Sequence, residues 1–169
     1  MKYNKIALIG MMGSGKSSVS KLLAKKLNCL ALELDELFVQ QEKISIVDFF
    51  KTQGEENFRQ IETEILKKSL KKENIILSCG GGVILKKENR EMLFCNNVFT
   101  IYLKATSETI FNRIKKDTSR PLLKVENPKQ EIESLIKSRQ DFYKLANLTI
   151  NTDNKTIEEI TEEILKWIK

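Results

Sequence analysis

Apolar residues in this chain follow two alternating rhythms. Short β-rich runs at 5–9, 30–34, 75–78, 98–103 and 148–150 read as strands, and the longer stretches between them carry apolar residues at helical spacing. Leu22, Leu23 and Leu27 mark one face of a helix over 17–27, and Phe58, Ile61, Ile65 and Leu66 mark one face of a helix beginning near Gly54. A shorter helix is expected over 36–41. Asn127-Pro128 reads as an N-cap followed by proline at the first helical position, and Thr156-Ile157-Glu158-Glu159 as a capping box opening the last helix. Strands alternating with helices predict an α/β fold, a parallel sheet covered by helices. The one break in the series is the polar segment 116–127 around Arg120-Pro121-Leu122-Leu123, a candidate mobile lid.

Composition narrows the chemistry. At 169 residues the chain suits one domain, large enough to bury a core without disulfides or a structural metal. No apolar run approaches a membrane span, and Met1-Lys2-Tyr3-Asn4-Lys5 leads straight into a strand and not a secretory signal, so the cytoplasm is the expected compartment. Cys29, Cys79 and Cys95 are odd in number and lack C-x-x-C spacing, which disfavours a disulfide framework or zinc site and predicts buried free thiols. The absence of histidine removes His-based acid–base catalysis and Ser-His-Asp triads, so any general base is a carboxylate or a lysine. The net charge of +6 divides as +2 over 1–60, +5 over 61–120 and −1 over 121–169. Its lysine pairs lie along predicted helices, where they read as a solvated face and not a nucleic-acid patch.

The sharpest motif follows the first strand. Gly10-Met11-Met12-Gly13-Ser14-Gly15-Lys16-Ser17 matches G-x-x-x-x-G-K-[ST], the phosphate-binding P-loop. Glycines at 10, 13 and 15 let successive N–H groups turn inward around a polyphosphate; Lys16 adds a cation, and Ser17 a hydroxyl for Mg²⁺. A helix opening at Ser17 would aim its positive end at the same anion. The spacing does not suit the dinucleotide fingerprint, because Lys16-Ser17-Ser18 follow Gly13-Ser14-Gly15.

Other candidates admit two readings each. Glu33 and Asp35 end the second strand at i and i+2, on one side of it and at the rim where ligands of open α/β sheets bind. A carboxylate there can orient Mg²⁺-bound water or accept a proton from an attacking hydroxyl, but Asp35 can equally cap the next helix. Gly80-Gly81-Gly82 either lets a ligand approach the backbone or makes a tight turn. Arg59 either binds an anion or pairs with Glu55 or Glu62 at helical spacing, and Arg113 and Arg139 are ambiguous alone. Arg120, inside the lid segment, suits closure over a transferring phosphoryl group.

Taken in order, the P-loop at 10–17, Asp35, Phe58-Arg59 with Ile61-Glu62, the glycine triplet, Arg120-Pro121-Leu122-Leu123, and Arg139 before Tyr143 resemble shikimate kinase from about residue 5 to 166. The resemblance implies a three-layer P-loop NTPase fold of the nucleoside monophosphate kinase type with a five-stranded parallel sheet. It implies a single domain over 1–169, a substrate-binding helical region about 35–62 and the lid about 116–127. It further implies transfer of the ATP γ-phosphoryl group to the 3-hydroxyl of shikimate, on the route to chorismate and the aromatic amino acids. Under it, ATP meets Gly13, Ser14, Gly15, Lys16, Ser17, Ser18, Arg113 and Arg120; shikimate meets Asp35, Arg59, Gly80, Gly81, Gly82 and Arg139. Lys16, Asp35 and Arg120 are the expected catalytic residues, and Mg²⁺ the cofactor, on Ser17 and through water on Glu33. A monomer without nucleic-acid or membrane partners is expected. Many family members carry Asp-x-Asp where this chain has Glu33-Leu34-Asp35, so its first carboxylate reaches one methylene farther. A gluconate-type or nucleoside monophosphate kinase shares the P-loop and lid logic, but Arg59, Arg139 and the glycine triplet together argue against it. A nucleotide-dependent switch or RNA-binding module is disfavoured by the lack of N-K-x-D and of an aromatic base platform.

Overall fold

The computed structural model describes residues 3–115 and 125–168. Five strands, β1 (Lys5–Ile9), β2 (Leu30–Glu33), β3 (Ile75–Ser78), β4 (Phe99–Lys104) and β5 (Leu148–Asn151), form one parallel sheet in the order β2-β3-β1-β4-β5. Among the described residues seven α-helices accompany them: α1 (Lys16–Leu27), α2 (Leu34–Glu42), α3 (Ile46–Ser69), α4 (Lys87–Leu93), α5 (Ser107–Ile114), α6 (Pro128–Tyr143) and α7 (Ile157–Ile168).

The central strand shows why the sheet is covered on both sides. Ile6 and Leu8 point into one cluster with Val19 and Leu23 of α1 and Ile160 and Ile164 of α7. Ala7 and Ile9 point the other way, toward Phe38 of α2, Phe58 and Ile65 of α3, and Tyr143 of α6. A strand sandwiched between helices has no solvent face, which explains the unbroken apolar run at 6–9. A smaller cluster joins Ile110 and Ile114 of α5 and Ile132 of α6 to Met11 of the P-loop, so helix packing reaches the loop itself. Among the described residues no helix is long and apolar enough to cross a membrane.

Most elements fall where the pattern predicts them. β1 and β3 have the expected bounds; Asn127 caps α6, its side chain accepting from the Gln130 amide at 3.2 Å. The capping box of α7 is reciprocal: the Glu159 amide donates to Thr156 Oγ1 at 3.2 Å, and the Thr156 amide to Glu159 Oε2 at 2.8 Å.

Two regions differ. β2 ends at Glu33 and α2 begins at once with Leu34, so Asp35 sits in the first helical turn and not on the strand, and Glu33 occupies the cap position without a side-chain capping bond. The capping role for Asp35 is therefore excluded. Helix α3 starts at Ile46, well before Gly54, because Ser45 caps it by accepting from the Asp48 amide at 3.1 Å. Gly54 then interrupts the helix with φ 80° and ψ 168°. Nothing lies within 4 Å of a Cβ built there, so the backbone angle, not crowding, calls for glycine.

Because all strands run parallel, the loops following β1 and β3 and the start of α2 after β2 meet at one rim of the sheet. That rim carries nearly every candidate residue.

Candidate active site

The P-loop leaves β1 and enters α1 with almost no side-chain bulk. Gly13 has φ 74°, and a Cβ there would stand 2.7 Å from Ile114 Cγ2, so conformation and space both demand glycine. Gly15 precedes the first helical residue, Lys16, leaving the opening N–H groups of α1 facing the loop. Lys16 is largely buried, and its ammonium donates to the carbonyls of Gly10 at 2.9 Å and Met11 at 3.0 Å. Ser14 is wholly buried, and among the described residues its hydroxyl has no hydrogen-bond partner. Such an orphan costs free energy unless something else uses it.

Ser17, one residue into α1, donates its hydroxyl to Glu33 Oε1 at the end of β2. The other Glu33 oxygen lies 3.7 Å from Lys21. Two hard oxygen donors beside a phosphate loop fit Mg²⁺, which takes one or two protein ligands and leaves the rest to water and phosphate. Consistent with that small donor set, among the described residues no group of three or more His, Cys, Asp or Glu is placed to hold a metal.

The three glycines after β3 each face a different neighbour. A Cβ on Gly80 would lie 2.8 Å from Glu62 Oε1 and 3.1 Å from Asp35 Oδ1, wedged between two carboxylates. One on Gly81 would just touch the P-loop, 3.4 Å from the Met12 amide and 3.5 Å from the Gly10 carbonyl. One on Gly82 would run into the Arg59 guanidinium. The triplet is thus where the P-loop, Asp35, Glu62 and Arg59 come together.

Arg59 makes the helical pairs that its spacing allows, with Glu55 at 3.0 Å and Glu62 at 2.7 Å along α3, and its guanidinium also lies against Gly82 of the triplet. Glu62 was not expected in the site. It is 3% exposed, and burial raises its carboxyl above the ordinary value even though the neighbouring Arg59 charge pulls it down. Its Oε2 takes the Arg59 bond; Oε1, beside Gly80, is buried and has no hydrogen-bond partner among the described residues. The signal that finds it is phase: Glu62 lies four residues after Phe58 and three before Ile65, on the apolar stripe of α3 and not on the solvent side.

From the opposite side, α6 delivers Arg139 and Tyr143. Both aim at one acceptor: Tyr143 donates to the Gly81 carbonyl at 2.6 Å and Arg139 Nη1 at 3.4 Å. Tyr143 is fully buried and stacked on Tyr102, with ring centroids 4.8 Å apart. Burial pushes its hydroxyl up to about 12, which keeps it a donor throughout the neutral range.

A cavity of about 500 Å³ runs along this rim. At one end stand Asp35, Gly80 and Gly81, in the middle Gly13, Gly15, Lys16, Ser17, Ser18 and Glu33, and at the far end Arg113, Lys155 and Ile157. Gly82, Arg59 and Arg139 are not among the residues that line it; the two arginines lie against the triplet, Arg59 at Gly82 and Arg139 at the Gly81 carbonyl. Arg120 and residues 116–124 of the lid segment lie outside the described residues. Of the three thiols, Cys79 is buried beside the triplet, whereas Cys29 is half-buried and Cys95 exposed, against the expectation that all are buried.

Known proteins match this arrangement over nearly the entire chain. The family model for shikimate kinase matches residues 12–169. A shikimate kinase of Thermodesulfovibrio yellowstonii is 41% identical over 161 residues, covering 95% of this chain and 92% of the relative. One from Sulfurihydrogenibium sp. is 39% identical over 164 residues, covering 97% of each. The structure of shikimate kinase from Acinetobacter baumannii in complex with shikimate superposes with a TM-score of 0.93 at 34% identity, over 98% of this chain and 93% of that one. A gluconokinase from Sinorhizobium meliloti, at 18% identity and a TM-score of 0.65 over 99% of this chain and 92% of that one, shares the fold alone. The chain belongs to the shikimate kinase family.

Proposed function

We propose that this protein transfers the γ-phosphoryl group of ATP to the 3-hydroxyl of shikimate, and that the two substrates meet along the rim cavity. One observation carries the reading: the wall that holds Lys16 and the P-loop continues directly to Asp35 and Gly80–Gly81, with Arg59 and Arg139 against the triplet. A phosphate loop and a glycine loop flanked by two arginines are thus neighbours along one half-open cleft, which supports a donor and an acceptor side by side.

In this reading the P-loop amides and Lys16 hold the β- and γ-phosphates, and the Arg59 and Arg139 forks take the shikimate carboxylate. Glu62 fixes the Arg59 fork from within α3. Asp35 accepts a hydrogen bond from the 3-hydroxyl and receives its proton as that oxygen bonds to the γ-phosphorus. The bond between the γ-phosphorus and the bridging oxygen breaks, and its electrons leave with ADP. Ser17 and Glu33 would hold Mg²⁺, which neutralises phosphate charge when bound. Arg120, from the lid, adds a second cation over the transferring group. With no histidine in the chain, positioning and electrostatics supply most of the catalysis. The enzyme works as a cytoplasmic monomer on small soluble anions.

The test is a coupled assay of ADP release with Mg²⁺-ATP and shikimate, with gluconate and AMP as rival acceptors. Turnover is expected with shikimate alone. Folded, ATP-binding protein that shows no shikimate-dependent turnover would overturn the proposal.

A further inference from the structure

The glycine triplet runs into a short 3₁₀ turn, Val83–Leu85, and then into α4. Backbone bonds close the start of this stretch: the Val83 amide donates to the Gly80 carbonyl at 3.1 Å, and the Leu85 amide to the Gly82 carbonyl at 3.0 Å. A turn this short leaves its last carbonyls without partners inside it. Side chains of α4 take three of them in succession. Asn89, fully buried, donates Nδ2 to the Val83 carbonyl at 2.9 Å; Arg90 donates Nη1 to the Ile84 carbonyl at 2.7 Å and to the Leu85 carbonyl at 2.8 Å. The same Arg90 guanidinium lies over the Phe142 ring of α6, its central carbon 4.2 Å from the ring centroid.

A cap on the turn needs only the carbonyl bonds. The ring contact adds a link to the helix that bears Arg139, three residues before Phe142, and that already meets the triplet through Tyr143 and the Gly81 carbonyl. A guanidinium suits this double task, because it can donate at its edge while an aromatic ring takes its charge from the face. We propose that Arg90 is a positioning residue for the acceptor site: bonded to the Ile84 and Leu85 carbonyls and seated on Phe142, it fixes the spacing between Gly80–Gly82 and Arg139. Arg90 is not among the residues lining the cavity, so it acts through the loop and the helix and not by touching substrate. Spacing matters because a rigid acid must meet the arginine with its carboxylate and the loop with the rest of its ring at once. This rests on the reading of the triplet and Arg139 as the shikimate site.

Steady-state kinetics together with calorimetric titration of shikimate separate positioning from a purely structural role. Arg90→Met keeps the length of the side chain and an apolar contact with Phe142 but loses the donors and the charge. Its shikimate KM and Kd should rise about fivefold, while kcat and the ATP KM stay within about twofold of wild type. Arg90→Lys, which keeps a cation and donors, should show a smaller rise of the same kind, and carries the test should the methionine variant not fold. Phe142→Leu should raise the shikimate Kd about threefold, and combining it with Arg90→Met should add little, since both cut one link. Unchanged shikimate Kd in the folded Arg90 variants, equal changes in both KM values, or fully multiplicative effects in the double variant each overturn the proposal. Arg139→Ala, run alongside, keeps the two readings apart: an unchanged shikimate Kd there sinks the acceptor-site reading, whereas a weakened one with the Arg90 variants unaffected sinks this proposal alone.

Discussion

The proposed donor and acceptor halves of this cavity are built by opposite means. The donor half is one contiguous octapeptide, made mostly of backbone and anchored by the strand before it and the helix after it. The acceptor half draws single side chains from α2, α3 and α6 onto a glycine loop after β3. The first needs a local conformation; the second needs a completed tertiary structure. Damage to the donor half should therefore act on the chemical step, whereas damage to the acceptor half should act on substrate binding and on stability together.

The largest effect is expected at Lys16. Lys16→Ala should lower kcat about 10²- to 10³-fold, as loss of a preorganised charge at the transferring group does, with little change in the shikimate KM. A rise confined to the shikimate KM in steady-state kinetics would erase the distinction between the halves.

Arg59 breaks the comparison from the other side. Arg59→Lys keeps the charge but loses the fork, and should raise the shikimate KM about tenfold without altering the ATP KM. Arg59→Ala should also lower stability by about 3 kcal/mol, because Glu62 is left buried without its partner. Adding Glu62→Gln to Arg59→Ala should recover most of that stability in denaturant unfolding and none of the shikimate affinity. Stability and affinity recovering together would mean that the pair serves the fold alone. Two ions taken out of water each lose several kcal/mol of hydration, so apolar residues could replace the pair without loss of stability. Its presence beside Gly80 and Gly82 is better explained by the acceptor site.

A smaller effect is expected for Gly82→Ala, whose methyl group displaces the Arg59 guanidinium. The shikimate KM should rise about three- to fivefold, as for a weakened charge-assisted hydrogen bond, with ATP binding unchanged. Equal changes in both KM values would mean that the triplet supports the P-loop more than the acceptor site.

The smallest effect concerns pH. Burial holds the Glu62 carboxyl above its ordinary value of 4.5, so the folded state binds this proton more tightly than the unfolded chain does. The resulting stabilisation is fully present below the unfolded value and is lost as pH rises through the folded one. Wild-type stability relative to Glu62→Gln should thus increase as pH falls from neutral into the range just above 4.5. A flat difference in melting temperature across that window would place Glu62 in a solvated setting.

How far the sequence reaches follows the same division. The P-loop, β1 and the caps at Asn127 and Thr156 are legible because neighbouring residues determine them. The sequence reads Asp35 as a strand end because β2 and α2 abut without a loop, and no turn residue marks the change at Leu34. The first part of α3 escaped notice because Gly54 reads as a boundary when it is an interruption. Glu62 illustrates a deeper limit: a glutamate three residues after an arginine has the same local pattern on a wet surface and in a core. Only the packing of α3 against the sheet makes that pair a buried one. Arg90 and Tyr143 are similar, since they meet partners from other elements, at Phe142 and Gly81.

The strand order carries a consequence for how the chain is made. β1 leaves the ribosome before either of its sheet partners, since Lys5 pairs with Ile75 and Ile6 with Phe99. Through synthesis of the intervening stretch, Ile6, Leu8 and Ile9 have neither completed helical layer to cover them. The nascent protein must therefore carry its most motif-rich segment as a sticky, unpaired edge, and full seating of the phosphate loop waits for β4. A slow stretch of translation before residue 104 would lengthen the interval in which chaperones, or other unfinished chains, can reach that edge.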